Sequence, residues 1–241
     1  MRSGLLLTAA AAAINNGCDD RLRPGCGKVA IALVGGFSDI TRGGHRAKFS
    51  STNAINASHP LTRAWVRVTS KSLRKHVREP LAEAYASAAD VFVYSWDRPL
   101  EAYFAERYAP VAAEYADNAP VLAQLSQLKG TLPKKCAQEA CHPRGMHYSR
   151  SDATRAHAVG HMHAASASWA YAVREVHRLI VSHEARRGVE YEAVYFGRPD
   201  IYMYKSLDAA RVPEGAVLMP SPGFGDNFFL MARDNARRFS E

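Results

Sequence analysis

Three places in this chain set polar side chains at the end of an apolar run, where chemistry becomes possible. The fullest is "YEAVYFGRPDIYMY", Tyr191 to Tyr204, which reads as a buried strand broken by Gly197, Arg198, Pro199 and Asp200. A carboxylate just past a strand can ligate a hard divalent cation, which in turn bridges a diphosphate. Arg198 lies two residues earlier, on the same side of an extended backbone, and can pair with phosphate oxygens in bidentate fashion. Pro199 removes a backbone donor and biases Arg198 to extended geometry, so regular pairing should end near Phe196. The plain alternative is an Arg198–Asp200 ion pair capping the strand. The other two places are "GGFSD", Gly35 to Asp39, and "SWD", Ser95 to Asp97.

A rival group of ligands lies in the middle of the chain. Cys136 and Cys141 have four residues between them and His157 and His161 have three, which loosely resembles the two halves of a zinc finger. His142, His147 and His163 add ligands and ambiguity, while the long central interval lacks the apolar residues that pack a finger. A local disulfide, or plain loop residues, stay open as readings of this segment. No G-x-S-x-G, G-x-x-x-x-G-K-[ST] or G-x-G-x-x-G sequence occurs, which disfavours a serine hydrolase, a P-loop kinase and an ordinary dinucleotide enzyme.

The elements that would position the three polar places alternate in type. "KVAIALVGGF", from Lys28, is a continuous apolar run and reads as a buried parallel strand followed by a tight loop. A long polar loop to about Pro60 follows, then a helix from about Leu61 to Lys75 and a second starting at Pro80. "VFVYSWD", Val91 to Asp97, is the next strand. Prolines at 110 and 120 cut the following region into pieces, and the His-rich stretch at about 130–165 reads as an excursion without regular structure. The strongest helix starts near Ser166 and stops at Gly188. The strand of Tyr191, a short strand in Ala216 to Ser221 and a final loop leading to a strand or helix complete the chain. Strands alternating with helices predict an α/β fold with an open, mostly parallel sheet, in which ligands gather beyond the carboxyl ends of the strands.

Composition sets the outer limits. With 241 residues, 47% hydrophobic and 22% charged, the chain can bury one sizeable core, so residues 28–241 are expected to form a single domain behind an N-terminal tail, 1–27. That tail, with Arg2, "LLLTAAAAAI" and then "NNGC", has the outline of a signal segment, but the asparagine at the would-be cleavage site counts against processing and the plainer reading is a frayed helix or loose tail. A luminal, Golgi-type compartment would follow from the first reading and a cytoplasmic one from the second. Pairing of Cys18 with Cys26 and of Cys136 with Cys141 depends on that compartment. The net charge of +8 favours anionic partners. No arginine and lysine stripe interleaves with aromatics, so nucleic acid is not expected, and no apolar run reaches transmembrane length.

Taken in order, "KVAIALVGGF", the later Arg42, "DVFVYSWD", "SASWAYAVREVHRLIVSHEARRGVEYEAVYFGRPD" and "PSPGFGDNFFLMARDNARRF" resemble glycosyltransferase-like proteins of the GT-A, nucleotide-diphosphosugar transferase type. The resemblance spans most of Lys28 to Phe239. It implies a GT-A or Rossmann-like sheet and transfer of a sugar from a nucleotide diphosphate to an acceptor hydroxyl on a glycan, lipid or protein. Carried over by position, Arg198 and Asp200 match an R-x-D element standing where related enzymes keep a metal-binding D-x-D, which makes Asp200 the expected ligand of Mn²⁺ or Mg²⁺. Gly35, Gly36, Arg42, Asp97 and Arg198 would face the donor, and Asp226, in a glycine-flanked turn, would be the catalytic base. The chain departs from the pattern at Glu192, in its His/Cys insertion, and in the single acidic residue of the R-x-D element. Two other functions stay open: a non-catalytic protein of the same ancestry that binds a sugar nucleotide or glycan, and a zinc-stabilised module for nucleic acid or a partner built on Cys136 to His163.

Overall fold

The computed structural model describes residues 27–36, 57–116, 152–208, 212, 213, 215–218 and 228–241, and within 152–168 only the backbone. The chain divides into two compact units, Met1–Ala116 with Ala172–Glu241, and Asp117–Tyr171. In the second unit the described residues are helical.

The first unit is built on strand β1, Val29–Val34, whose six residues are all buried. An unbroken "VAIALV" with no polar face can only be a central strand covered on both sides. Helix α1, Pro60–Leu73, starts with His59 as its cap, the ring Nδ1 accepting from the Leu61 amide at 3.2 Å. Pro80 has no N–H to give the carbonyl of His76, four residues back. Just there the ladder widens into one π turn, Arg74–Arg78, in which the Glu79 amide reaches Arg74, before helix α2, Glu79–Ala84, resumes. The two helices expected around Pro80 are therefore one continuous rod.

Strand β2, Ala89–Ser95, follows, again wholly buried. A short 3₁₀ turn, Arg98–Leu100, and helix α3, Glu101–Tyr108, lead to strand β3, Ala112–Tyr115. The sequence pattern did not predict β3: "AAEY" is too short and too polar, and it becomes a strand by pairing with β2 at the sheet edge. Helix α4 runs Asp152–Arg187 and ends at Gly188, whose φ of 64° is the left-handed stop a glycine supplies. The stop agrees with the expectation, but the start does not. Residues 152–165, expected within an irregular excursion, are helical, and the alanines of "DATRAHAVGHMHAASAS" supply the propensity that the histidines obscured. His157, His161 and His163 thus sit at helical positions; Cys18, Cys26, Cys136, Cys141, His142 and His147 lie outside the described residues.

Strands β4, Ala193–Gly197, β5, Val217–Leu218, and β6, Phe228–Ala232, and helix α5, Arg233–Ser240, finish the unit. The sheet order is β3-β2-β1-β4-β6-β5. β1 pairs in parallel with both β2 and β4, β2 pairs in parallel with β3, and β6 runs antiparallel to β4 and β5. This is an α/β fold with an open, mostly parallel six-stranded sheet and flanking helices. One face carries Val29, Ile31, Leu33, Val91, Val93 and Tyr195 against Val66, Leu73, Val77, Leu81 and Phe104 of the helices. The other carries Phe92, edge-on to His183 of α4, and Phe196, which meets Phe239 of α5. The chain leaves β1 to one side for β2 and β3, then returns to the other side for β4. The reversal of direction therefore lies between β1 and β4.

Candidate functional site

The carboxyl ends of β1, β2 and β4 bring together five of the residues singled out from sequence. Gly35 (φ 92°) turns the chain out of β1 and donates its N–H to the Tyr94 carbonyl at 3.0 Å. Gly36 then lies so close to β2's exit that a methyl group there would sit 3.0 Å from Trp96 Cδ1 and 3.4 Å from an Asp97 carboxylate oxygen. The first and second polar places are therefore in contact. Asp97 is half-buried; its N–H is held by the Ser95 hydroxyl at 3.1 Å and its carbonyl by the Leu100 amide at 2.8 Å.

The third place enters from β1's other flank. Leu33 pairs with Gly197, so Arg198 leaves the sheet level with the end of β1. Gly197 has to be glycine, because a Cβ would lie 2.5 Å from the Tyr195 ring. Arg198 Nε and Nη2 donate to the two oxygens of Asp200 at 2.9 and 2.8 Å. The Asp200 side chain is 2% exposed and that of Arg198 is 21% exposed, so the cation is the more accessible member of the pair.

Four anchors fix the segment that follows. The Tyr108 hydroxyl donates to the Pro199 carbonyl at 2.8 Å and lies 3.1 Å from the Thr69 hydroxyl. Burial, and secondarily the Asp200 charge, push the Tyr108 phenol above its ordinary range against the pull of Thr69, so it stays a donor. The Ser72 hydroxyl accepts from the Met203 N–H at 2.8 Å and donates to the Met203 carbonyl at 3.1 Å. The His76 carbonyl, which Pro80 cannot engage, takes the Leu207 amide at 2.7 Å, and the His76 ring meets the Ser206 hydroxyl at 3.1 Å. Tyr202 and Tyr204 stand exposed on this pinned segment with their rings in edge-to-face contact at 5.2 Å.

Arg42 and Asp226 lie outside the described residues. Asp226 is two residues before Phe228, and Phe228 pairs with Gly197, so β6 begins at this same edge. Sequence reasoning missed Trp96, although it sits inside the quoted "SWD". It also missed Thr69, Ser72, His76 and Tyr108, which look like ordinary helix residues; only the proline after His76 hinted at a spare carbonyl.

The described residues do not fit a divalent cation at Asp200. Both of its oxygens already serve a guanidinium, and among the described residues no three His, Cys, Asp or Glu side chains stand where they could hold a metal together. No helix among these residues is long and apolar enough to cross a membrane.

Comparison with known proteins adds nothing to this geometry. No protein-family model, no curated protein and no solved structure matches the chain.

Proposed function

We propose that this protein is a glycosyltransferase that moves a sugar from a nucleotide diphosphate to an acceptor hydroxyl, with the donor lying across the carboxyl end of β1. The observation that carries the reading is the convergence there: Gly36 against Trp96 and Asp97 on one flank, and Arg198 leaving β4 on the other. The order β3-β2-β1-β4 supports a GT-A or Rossmann-like assignment, because doubly wound sheets with this order place nucleotides at the same reversal. Neighbouring strands lie about 4.8 Å apart, so β2 and β4 flank β1 at roughly 10 Å from each other, a span that a ribose and its diphosphate bridge.

In this reading Gly35 leaves room for the donor, Gly36 lets Trp96 and Asp97 close in beside it, and Asp97 accepts hydrogen bonds from ribose or sugar hydroxyls. Arg198 meets the diphosphate. As the bond between the anomeric carbon and the phosphate oxygen breaks, that oxygen takes the bonding electrons, and a fixed guanidinium stabilises the charge it gains. The acceptor oxygen forms the new bond to the anomeric carbon and gives its proton to a carboxylate, a role the reading assigns to Asp226. The acceptor itself is a hydroxyl of a glycan, lipid or protein.

The test is calorimetric titration with UDP- and GDP-sugars, followed by a transfer and hydrolysis assay. One of the two donor classes should bind and turn over, and Asp97→Ala should weaken binding about tenfold or more while the circular dichroism spectrum is unchanged. Binding without turnover would make this a sugar-nucleotide binding protein instead. Absence of binding by every donor would end the reading.

A further inference from the structure

We propose that Arg198, held by the Asp200 carboxylate, is the cation that receives the donor's diphosphate, so that nucleotide binding needs no divalent metal and Asp200 is a positioning residue. The inference rests on the donor site proposed above and specifies how that site handles charge.

The pair has a direction. Asp200 engages the Nε and Nη2 edge of the guanidinium through both oxygens, which fixes the plane of the group as well as its position. The Arg198 side chain is the more exposed member of the pair, 21% against 2% for Asp200, so a ligand reaching the pair meets the cation first. The backbone is pinned within and just after the pair, because the Pro199 carbonyl is held by Tyr108 and Met203 is held on both its N–H and its carbonyl by Ser72. A guanidinium fixed in this way is already arranged for phosphate before the ligand arrives, and loses little freedom on binding.

A divalent ion at the same carboxylate meets two obstacles. It has to take oxygens from Arg198, and it then sits beside the displaced positive charge. Both work against the cation and neither works against a phosphate.

The decisive measurement is titration of the full chain with UDP and with GDP, in EDTA and then in excess Mn²⁺. The expected result is binding of one of the two with affinities within about threefold of each other in the two buffers. Asp200→Asn keeps one acceptor oxygen and should weaken binding about tenfold in both buffers alike, and Arg198→Lys, a cation that cannot make the two-pronged contact, should do the same or worse. Titration of the corresponding nucleoside, which has no phosphate, should be unchanged by either variant. A structural role alone would weaken nucleoside and nucleotide together. If UDP or GDP binds only with Mn²⁺ and Asp200→Asn abolishes that dependence, Asp200 is a metal ligand; the inference is overturned while the donor site stands. If neither nucleotide binds in either buffer, both fail together.

Discussion

The two edges of the sheet use the same residue types for different tasks. At the amino edge, Asp90 is fully buried and accepts from the Gly27 amide at 2.9 Å and the Tyr191 hydroxyl at 3.0 Å. Glu184 accepts from the Tyr191 amide at 3.0 Å and from Arg233 at 3.0 and 3.2 Å, and Arg233 also reaches Glu190 at 2.7 Å. A Cβ on Gly27 would lie 2.2 Å from the Ala88 carbonyl oxygen, so the chain is closed tightly there. At the carboxyl edge, Gly35 has nothing among the described residues within 4 Å of where a Cβ would sit, and Asp97 and Arg198 remain partly exposed. Both edges layer their pairs alike, with a buried carboxylate and a more exposed cation: 8% against 39% for Glu184 and Arg233, and 2% against 21% for Asp200 and Arg198. What differs is reach: the amino-edge carboxylates join separate elements, whereas Asp200 holds a cation only two residues away, just beyond the end of β4.

That contrast can be broken at either end. The largest effect on stability should come from Glu184→Ala, which leaves the buried Tyr191 amide without its acceptor and Arg233 with Glu190 as its carboxylate partner, and should cost about 2 kcal/mol in urea denaturation with nucleotide affinity unchanged. Lost affinity with little lost stability would erase the distinction between the edges. Ser72→Ala removes both hydrogen bonds to Met203 and should cost about 1 kcal/mol, yet raise the KM for donor severalfold, because the segment behind Arg198 is released.

The smallest effect is a pH dependence at the amino edge. Burial holds the His177 pKa below its ordinary value; Glu184 and Glu241 oppose that shift and Arg233 and Arg237 add to it. The folded protein therefore takes up the proton less readily than the unfolded chain. Stability should be flat above about pH 6.5 and decline as pH falls from there toward the folded value. His177→Asn should flatten this decline in a series of thermal melts, and an unchanged slope would remove His177 as its source.

Much of the frame is legible in the order of residues alone. "VAIALV" reads as a buried strand because it is continuously apolar, "VFVYSWD" reads as a strand from its β-branched and aromatic residues, and "AVYFG" ends at the glycine and proline that break pairing. The convergence of Gly36, Asp97 and Arg198 is legible there only as a condition, since it requires β2 and β4 to be the two neighbours of β1. The amino-terminal start of α4 is hidden because histidine-rich, alanine-rich sequence carries little apolar periodicity. β3 is hidden because an edge strand of four residues owes its form to its partner.

The sequence by itself determined which segments must be buried and where each must end, since apolar runs and chain-breaking residues act over a few neighbours. It left two readings of Arg198 and Asp200, an ion pair or a ligand site. The tertiary structure showed that the pair forms and which way it faces, because burial, strand order and anchors as distant in sequence as Thr69, Ser72 and Tyr108 are properties of the packed chain. Local pattern sets the elements, but the side of an ion pair that meets water is decided by everything packed around it.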